Sequence, residues 1–349
     1  MASVVCAALG CAMTPRWTAA GQPPVVRSSP IVVGLDDGRV LVIGGFVTDQ
    51  VGNVARQVPV TACDLYDPED GTWTTASPLP IGLEAPLAAA TADVRVLVID
   101  PRADAALTYD PFADTWTPVA TPGLLADSAT LTTRPGAPPL LAGGFASGSP
   151  TDVARLYDVQ TDSWMDVAPL PEPRYEHAAS ALLDGRVLVS GGTEPGDLVD
   201  TADLYDPASD TWIAVAPMLH KRHRHLLLSL PDGRVAALGG GFNTYEVDPS
   251  GEVYDPASDA WIEMSEFPHR IGFDAVALSD GTILLAGGRD SRRYRTWGLK
   301  GTLLYNPALD GWIDGARLLK TGSGKLVELP NDSVLFVRTE RHESELWLR

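Results

Sequence analysis

The chain has 349 residues, 26 Lys+Arg against 45 Asp+Glu, a formal net charge of −19 and a pI near 4.6. That balance excludes a nucleic-acid footprint or a broad contact with an anionic membrane, because phosphates repel such a surface. At 45% hydrophobic and 20% charged the chain is an ordinary globule, and its 33 Gly and 29 Pro suit short strands and tight turns better than helices.

The N-terminal stretch Ser3–Met13 is apolar and ends near a small-residue Cys site, in the manner of a lipoprotein signal. It is short and no Lys or Arg precedes it. A cytoplasmic location is the expectation, with export left open. Cys6, Cys11 and Cys63 are too few and too irregular for a disulfide framework or a zinc ribbon. No run of ~18 apolar residues exists, so no helix is expected to span a membrane.

From residue 66 onward a repeat takes over. Tyr66 and Trp73, Tyr109 and Trp116, Tyr157 and Trp164, Tyr205 and Trp212, Tyr254 and Trp261, and Tyr305 and Trp312 are each seven apart. The text between them repeats as well, from YDPEDGTW to YDPASDTW and YNPALDGW. Successive tryptophans fall 43, 48, 48, 49 and 51 residues apart, which is a repeat architecture.

Each unit holds four strand signals. An apolar run leads to a turn such as Asp184-Gly185, whose Gly accepts positive φ. A β-branched run then ends in two glycines, as in RVLVIGG, RVLVSGG and TILLAGG. The third run stops at Tyr-Asp-Pro, where Pro ends the ladder, and the fourth begins at Trp. Unit two has RVLVID in place of the glycines, and the last unit has VLFVR.

The diglycine and the spaced Tyr and Trp resemble the kelch repeat over about residues 14–349. The resemblance implies an all-β chain folded as a β-propeller of four-stranded antiparallel blades around a central channel. Six units with a partnered Trp, plus Trp17, give seven blades. Trp17 has no Tyr ahead of it, and three runs, Lys325–Leu329, Ser333–Arg338 and Ser344–Leu348, follow Trp312. The last blade is therefore expected to combine the strand at Trp17 with three C-terminal strands, which closes the ring and removes two sheet edges. Residues 14–349 read as one domain after a tail at 1–13.

The innermost strand of each blade aligns as a nine-residue column: RSSPIVVGL, LEAPLAAAT, LADSATLTT, RYEHAASAL, RHRHLLLSL, RIGFDAVAL and TGSGKLVEL. Strand alternation puts its second and fourth positions on one face. Near the loop-rich end that face is expected to line the channel mouth, where propellers of the kelch kind often bind ligands. Tyr175, His177, His223 and His225 occupy these positions, with Glu84 two blades earlier. Histidine titrates nearest neutral pH, so His177, His223 and His225 are the acid–base candidates and Tyr175 a proton donor or carbonyl holder. The first and third positions hold Arg27, Arg174, Arg222, Arg224, Arg270, Asp127 and Glu176, with Arg174, Arg222 and Arg270 as candidate clamps for an anion. An Arg and a His here also recur in kelch sequences as structural residues that satisfy backbone carbonyls.

Residues 220–225 (HKRHRH) and 289–300 (RDSRRYRTWGLK) together hold eight of the 26 Lys and Arg. They are either a solvated charge run or a site for a carboxylate or phosphate, with Arg293 as a forked donor and Tyr294 and Trp297 as an apolar wall. The loop from Phe46 to Val58 is long enough to form a flap.

His177, His223 and His225 could also be read as a three-nitrogen metal set, but no cofactor is the expectation. Kelch-type galactose and glyoxal oxidases carry copper with a Tyr cross-linked to a Cys and an adjacent Tyr-His pair. Here Glu176 separates Tyr175 from His177, and Cys63 sits at a third-strand position. No phosphate loop, dinucleotide fingerprint or Ser nucleophile elbow is present.

Two functions fit. One is a channel-mouth pocket for a small anionic ligand, with metal-independent acid–base chemistry of the isomerase, cyclase or lyase type. The other is a non-catalytic protein-interaction platform. In the first, the partner is a small molecule and the chain a monomer.

Overall fold

A computed structural model describes residues 15–51, 54–123, 127–194, 197–241, 249–290, 298–307, 309–339 and 343–349. Among the described residues the elements are all strands: seven four-stranded antiparallel blades, with two-stranded hairpins in the b–c connections of blades 1, 3 and 4. Blade 1 comprises Ile31–Gly34, Val40–Ile43, Cys63–Asp67 and Thr72–Ala76; blade 2, Leu87–Ala90, Val96–Asp100, Ala105–Asp110 and Thr115–Pro118. Blade 3 comprises Thr130–Arg134, Ala137–Ala142, Ala154–Asp158 and Ser163–Asp166; blade 4, Ala178–Ala181, Val187–Ser190, Ala202–Asp206 and Thr211–Val215. Blade 5 comprises Leu226–Ser229, Val235–Leu238, Gly251–Asp255 and Ala260–Met264; blade 6, Ile271–Ala277, Ile283–Arg289, Leu303–Asn306 and Gly311–Asp314. Blade 7 joins Gly324–Glu328, Val334–Arg338 and Ser344–Leu348 to the N-terminal strand Arg16–Ala19. The expected closure is present, with Trp17 paired to Trp347.

The strands of a blade are called a to d from the channel outward. Each strand a contacts the strand a of the next blade, and the last contacts the first. Strand b is buried along its whole length in blades 1, 2, 4 and 5, which is why it reads as a largely apolar run and not as an alternating one. Seven apolar clusters result, each shared by two neighbouring blades. Leu41, Ile43 and Cys63 of blade 1, for example, pack with Val96, Val98 and Tyr109 of blade 2.

The repeated Tyr, Asp and Trp form a clamp between blades. In blade 4, Tyr205 donates its hydroxyl to Asp210 at 3.0 Å, and Asp210 also accepts the Ala168 N–H of the preceding connection at 2.9 Å. Trp212 Nε1 returns to the Ala168 carbonyl at 2.7 Å. The same three bonds recur around Ser77, Ala120, Ala216 and Ser265. The Asp has positive φ each time, at 42–51°, a conformation that Asp tolerates better than most side chains. Blade 1 has Gly71 at that position, with φ 71°, so Trp73 holds the Ala20 carbonyl without the carboxylate.

Burial, and then the carboxylate, push the Tyr205 pKa up, which keeps the phenol a donor. Asp210→Ala leaves the buried Tyr205 hydroxyl and the Ala168 N–H without their acceptor. Loss of ~1–3 kcal/mol of stability is expected in urea unfolding. An unchanged midpoint would show that the clamp contributes nothing.

The two deviant units are repaired by side chains. In blade 2 the Asp100 carboxylate, fully buried, accepts the N–H groups of Glu84 and Ala85 on one oxygen and of Arg102 and Ala103 on the other. In blade 7 Arg338 is paired with Glu345 inside the sheet.

Candidate functional site at the channel mouth

The d–a and b–c connections share one face of the ring. Immediately before strand a, the chain bridges to the start of the b–c connection: Ser28 to Phe46, Asp127 to Phe145, Tyr175 to Thr193 and His223 to Gly241. The next residue, Ser29, Ser128, Glu176 or Arg224, has a positive φ of 50–58°. A left-handed residue at this point breaks strand alternation, so the expected face shared by positions two and four does not form. Asp127 also sits one place earlier in the column than its text suggests. A bulge between Thr132 and Arg134 slips the third unit by one residue.

The consequence divides the candidate residues. His177 and His225 lie inside the ring wall, 6% and 5% exposed. His177 Nε2 meets the Thr130 hydroxyl at 3.0 Å, and His225 Nε2 meets that of Ser190 at 3.0 Å. Each imidazole packs on the first glycine of the preceding blade's diglycine, Gly143 or Gly191. The glycines are needed there: a Cβ on Gly192 would stand 2.7 Å from the Tyr175 carbonyl. Burial, and then Arg174, lower the His177 pKa to about 3, and burial drives that of His225 down with it. Both rings are neutral packing elements.

Arg174, Arg222 and Arg270, expected as clamps, are also interior, at 1%, 0% and 4% exposed. Each donates to the carbonyl of its own blade's first glycine, Gly191, Gly239 or Gly287. Arg174 pairs with Asp203 at 2.7 Å and Arg222 with Glu252 at 2.8 Å, as Arg27 does with Asp64. They tie strand a to strands b and c within a blade. Glu84 is exposed beside blade 2, and Asp127 faces Arg102 at 3.3 Å. Arg293, Tyr294 and Trp297 lie outside the described residues.

What remains at the mouth is a group from blades 4 and 5. His223 Nδ1 meets Glu176 Oε2 at 2.7 Å, and Arg224 donates to Glu176 Oε1. Burial raises the Glu176 pKa, but Arg224 and His223 outweigh it and hold the carboxyl below its usual range. The backbone locks this trio: Glu176 N–H donates to the Ser128 carbonyl at 3.1 Å, and Arg224 N–H to the Glu176 carbonyl at 2.8 Å. Beside it Tyr175 packs against Phe145 with the rings tilted by 58° and their centroids 5.0 Å apart, and Phe145 is 38% exposed. Phe145 was missed in the sequence, although an aromatic directly after the diglycine recurs as Gly-Gly-Phe at Phe46 and Phe145.

The basic text at 220–225 does not make a free cationic patch. His220 lies 3.7 Å from Glu263, Lys221 is 3.0 Å from Asp197, and Arg222 and Arg224 have the carboxylates just described. In so acidic a chain, bases are drawn to acids first. Arg224 alone keeps a largely exposed side chain, at 71%.

The three histidines do not converge: two are spent on hydroxyls and one on a carboxylate. Among the described residues no group of three or more His, Cys, Asp or Glu is arranged to hold a metal ion.

Comparison with known proteins agrees with this architecture. Residues 174–219 match the family model of the Kelch motif. No curated protein matches the chain in sequence. Among solved structures it is similar to a fungal alcohol oxidase of the AA5 family in complex with copper, with TM-score 0.74 and 16% identity over 96% of this chain and 76% of that one. It is also similar to YjhT, with TM-score 0.59 and 16% identity over 76% of this chain and 93% of that one. Likeness at this identity is a likeness of fold. Among the described residues the one cysteine, Cys63, does not fit a copper–radical centre of the kind carried by kelch-type oxidases, because it is sealed inside blade 1 with Sγ on the Thr61 carbonyl at 3.7 Å. The protein is a seven-bladed β-propeller that carries a Kelch motif in its fourth blade.

Proposed function

We propose that the protein binds a small anionic ligand at the channel mouth beside blades 4 and 5 and moves a proton on it, in isomerase, cyclase or lyase chemistry that uses no metal. The observation that carries this reading is the Glu176–His223–Arg224 trio. A carboxylate on Nδ1 fixes one tautomer and leaves Nε2 as the proton carrier, the arrangement that makes an imidazole a general base. Glu176 takes a charge from two sides, so it stays ionised when His223 accepts a proton. Arg224 spends part of its fork on Glu176, and the exposed remainder can take a carboxylate or phosphate. Tyr175 and Phe145 offer an apolar wall against which a ring or chain can lie. Catalytic duty thus passes from the four residues named in the sequence to His223, with Tyr175 as an orienting donor.

A thermal-shift panel of carboxylates and organic phosphates at fixed ionic strength tests this. A ligand that raises the melting temperature of the wild type should lose its effect in Arg224→Ala, by mass action on the folded state. With that ligand in D2O, NMR should follow exchange of a carbon-bound proton, and His223→Ala should slow it by ~10²–10⁴-fold. Binding indifferent to Arg224 overturns the site. Stoichiometric capture of a folded protein on this face, with no small-molecule shift, would favour the interaction platform.

A further inference from the structure

Four blades bury an arginine at one position, and three of them bury its counter-ion. Two residues before the repeat tyrosine, strand c carries Asp64 in blade 1, Asp203 in blade 4 and Glu252 in blade 5. Each is 0–4% exposed and takes the Nη2 of Arg27, Arg174 or Arg222. In blade 6 the same place in the text, LLYNP against DLYDP, is Leu303, which is 4% exposed within the apolar cluster of blades 5 and 6.

Arg270 nevertheless keeps the buried geometry of its sisters. Nη1 donates to the Gly287 carbonyl at 3.2 Å and to the Gly301 carbonyl at 2.9 Å. Nε has no hydrogen-bond partner, as in Arg27 and Arg174, and among the described residues Asp314 of strand d attracts the guanidinium through space without forming an ion pair with it. Gly301 adjoins Nη2: a Cβ built on it would lie 3.7 Å away, so the backbone there comes close to this end of the guanidinium. A buried cation with no carboxylate in contact is compensated only in part for its lost hydration. Three blades set a carboxylate of strand c on Nη2, and among the described residues the fourth sets none there.

We propose that blade 6 holds a small monovalent anion, of the chloride or formate class, on the Nε–Nη2 edge of Arg270. The site is separate from the mouth trio and does not depend on its function. The anion takes the part played by Asp64, Asp203 and Glu252 in the sister blades, and makes the stability of blade 6 responsive to the salt around it.

The test is thermal unfolding as chloride, and separately formate, replaces gluconate at constant ionic strength. Gluconate is the control because it is a much larger anion than chloride or formate. A saturating rise of about 2–4 °C in the wild type is expected, by preferential binding to the folded state. Leu303→Asp, which restores the sister-blade carboxylate, should abolish the rise whatever its own melting temperature. Arg270→Met should abolish it as well, and Arg224→Ala should retain it. No anion-specific rise in the wild type overturns the proposal, as does an equal rise in Leu303→Asp or Arg270→Met. A rise lost only in Arg224→Ala would place the anion at the mouth instead and would also overturn it.

Discussion

Removal of residues 1–24 is expected to abolish cooperative unfolding or to drive the chain into aggregates. The strand Arg16–Ala19 is only four residues long, yet it seals two blade interfaces. Trp17, 5% exposed, packs edge-on against Phe336 and donates Nε1 to the Ala316 carbonyl at 3.1 Å, which ties blade 7 to blade 6. Ala20 accepts from Trp73 Nε1 at 2.9 Å, which ties blade 7 to blade 1. Truncation would expose the edge of Ser344–Leu348, and an open strand edge is a template for pairing with another chain. Trp17→Ala alone should cost ~3–5 kcal/mol, the usual loss for a buried Trp and a large share of a typical ~5–15 kcal/mol total. Urea unfolding followed by circular dichroism and intrinsic fluorescence reads both effects. A truncated chain that melts like the full one would place the seam elsewhere.

Acid should weaken the fold steeply through His177 and His225. With a folded-state pKa of about 3 against ~6.5 unfolded, His177 is neutral in both states above ~6.5 and contributes no pH dependence there. Below ~6.5 the unfolded chain takes a proton that the folded one refuses, so stability falls as pH drops towards about 3. The slope is ~1.4 kcal/mol per pH unit for each such group, or about 2 kcal/mol for His177 at pH 5, and His225 acts in the same direction. Nothing nearby offers relief. His225 Nδ1 has no partner, and Arg174 and Arg222 set positive charge beside the two rings. Asp203 and Asp274, whose pKa values burial raises, oppose the trend, so the wild type must be compared with a variant. His177→Gln with His225→Gln should flatten the profile of urea midpoints between pH 7 and 5. An unchanged slope would mean that other groups carry the acid sensitivity.

The propeller was legible because the repeated text is itself the clamp. Tyr, Asp and Trp recur in one spacing since each must meet the same connection of the preceding blade, and a mechanism copied five times leaves a pattern. The mouth was harder to read. Its geometry turns on one left-handed residue in each of blades 1, 3, 4 and 5, and Ser29, Ser128, Glu176 and Arg224 share no side-chain chemistry that announces it. Alternation then failed by one place, sending His177 and His225 into the wall and leaving His223 and Glu176 outside. The counter-ions of the basic stretch were equally hidden. Glu176, Asp197, Glu252 and Glu263 come from other strands and hairpins, and single-chain spacing does not reveal which of 45 acids will arrive.

The seven apolar clusters carry a consequence for how the molecule fails and changes. Each lies between two blades, so no blade owns a core, and a blade cut out alone would lose half of its packing on either side. Stability is shared between nearest neighbours, as in a linear repeat array, but here the array bites its own tail. A linear array frays from its ends; a closed ring has none, and must first part at one of seven seams before anything else can loosen. Blade 7 adds a break of its own: only hydrogen bonds join Arg16–Ala19 to Ser344–Leu348 inside it, which makes that pairing the natural point of rupture.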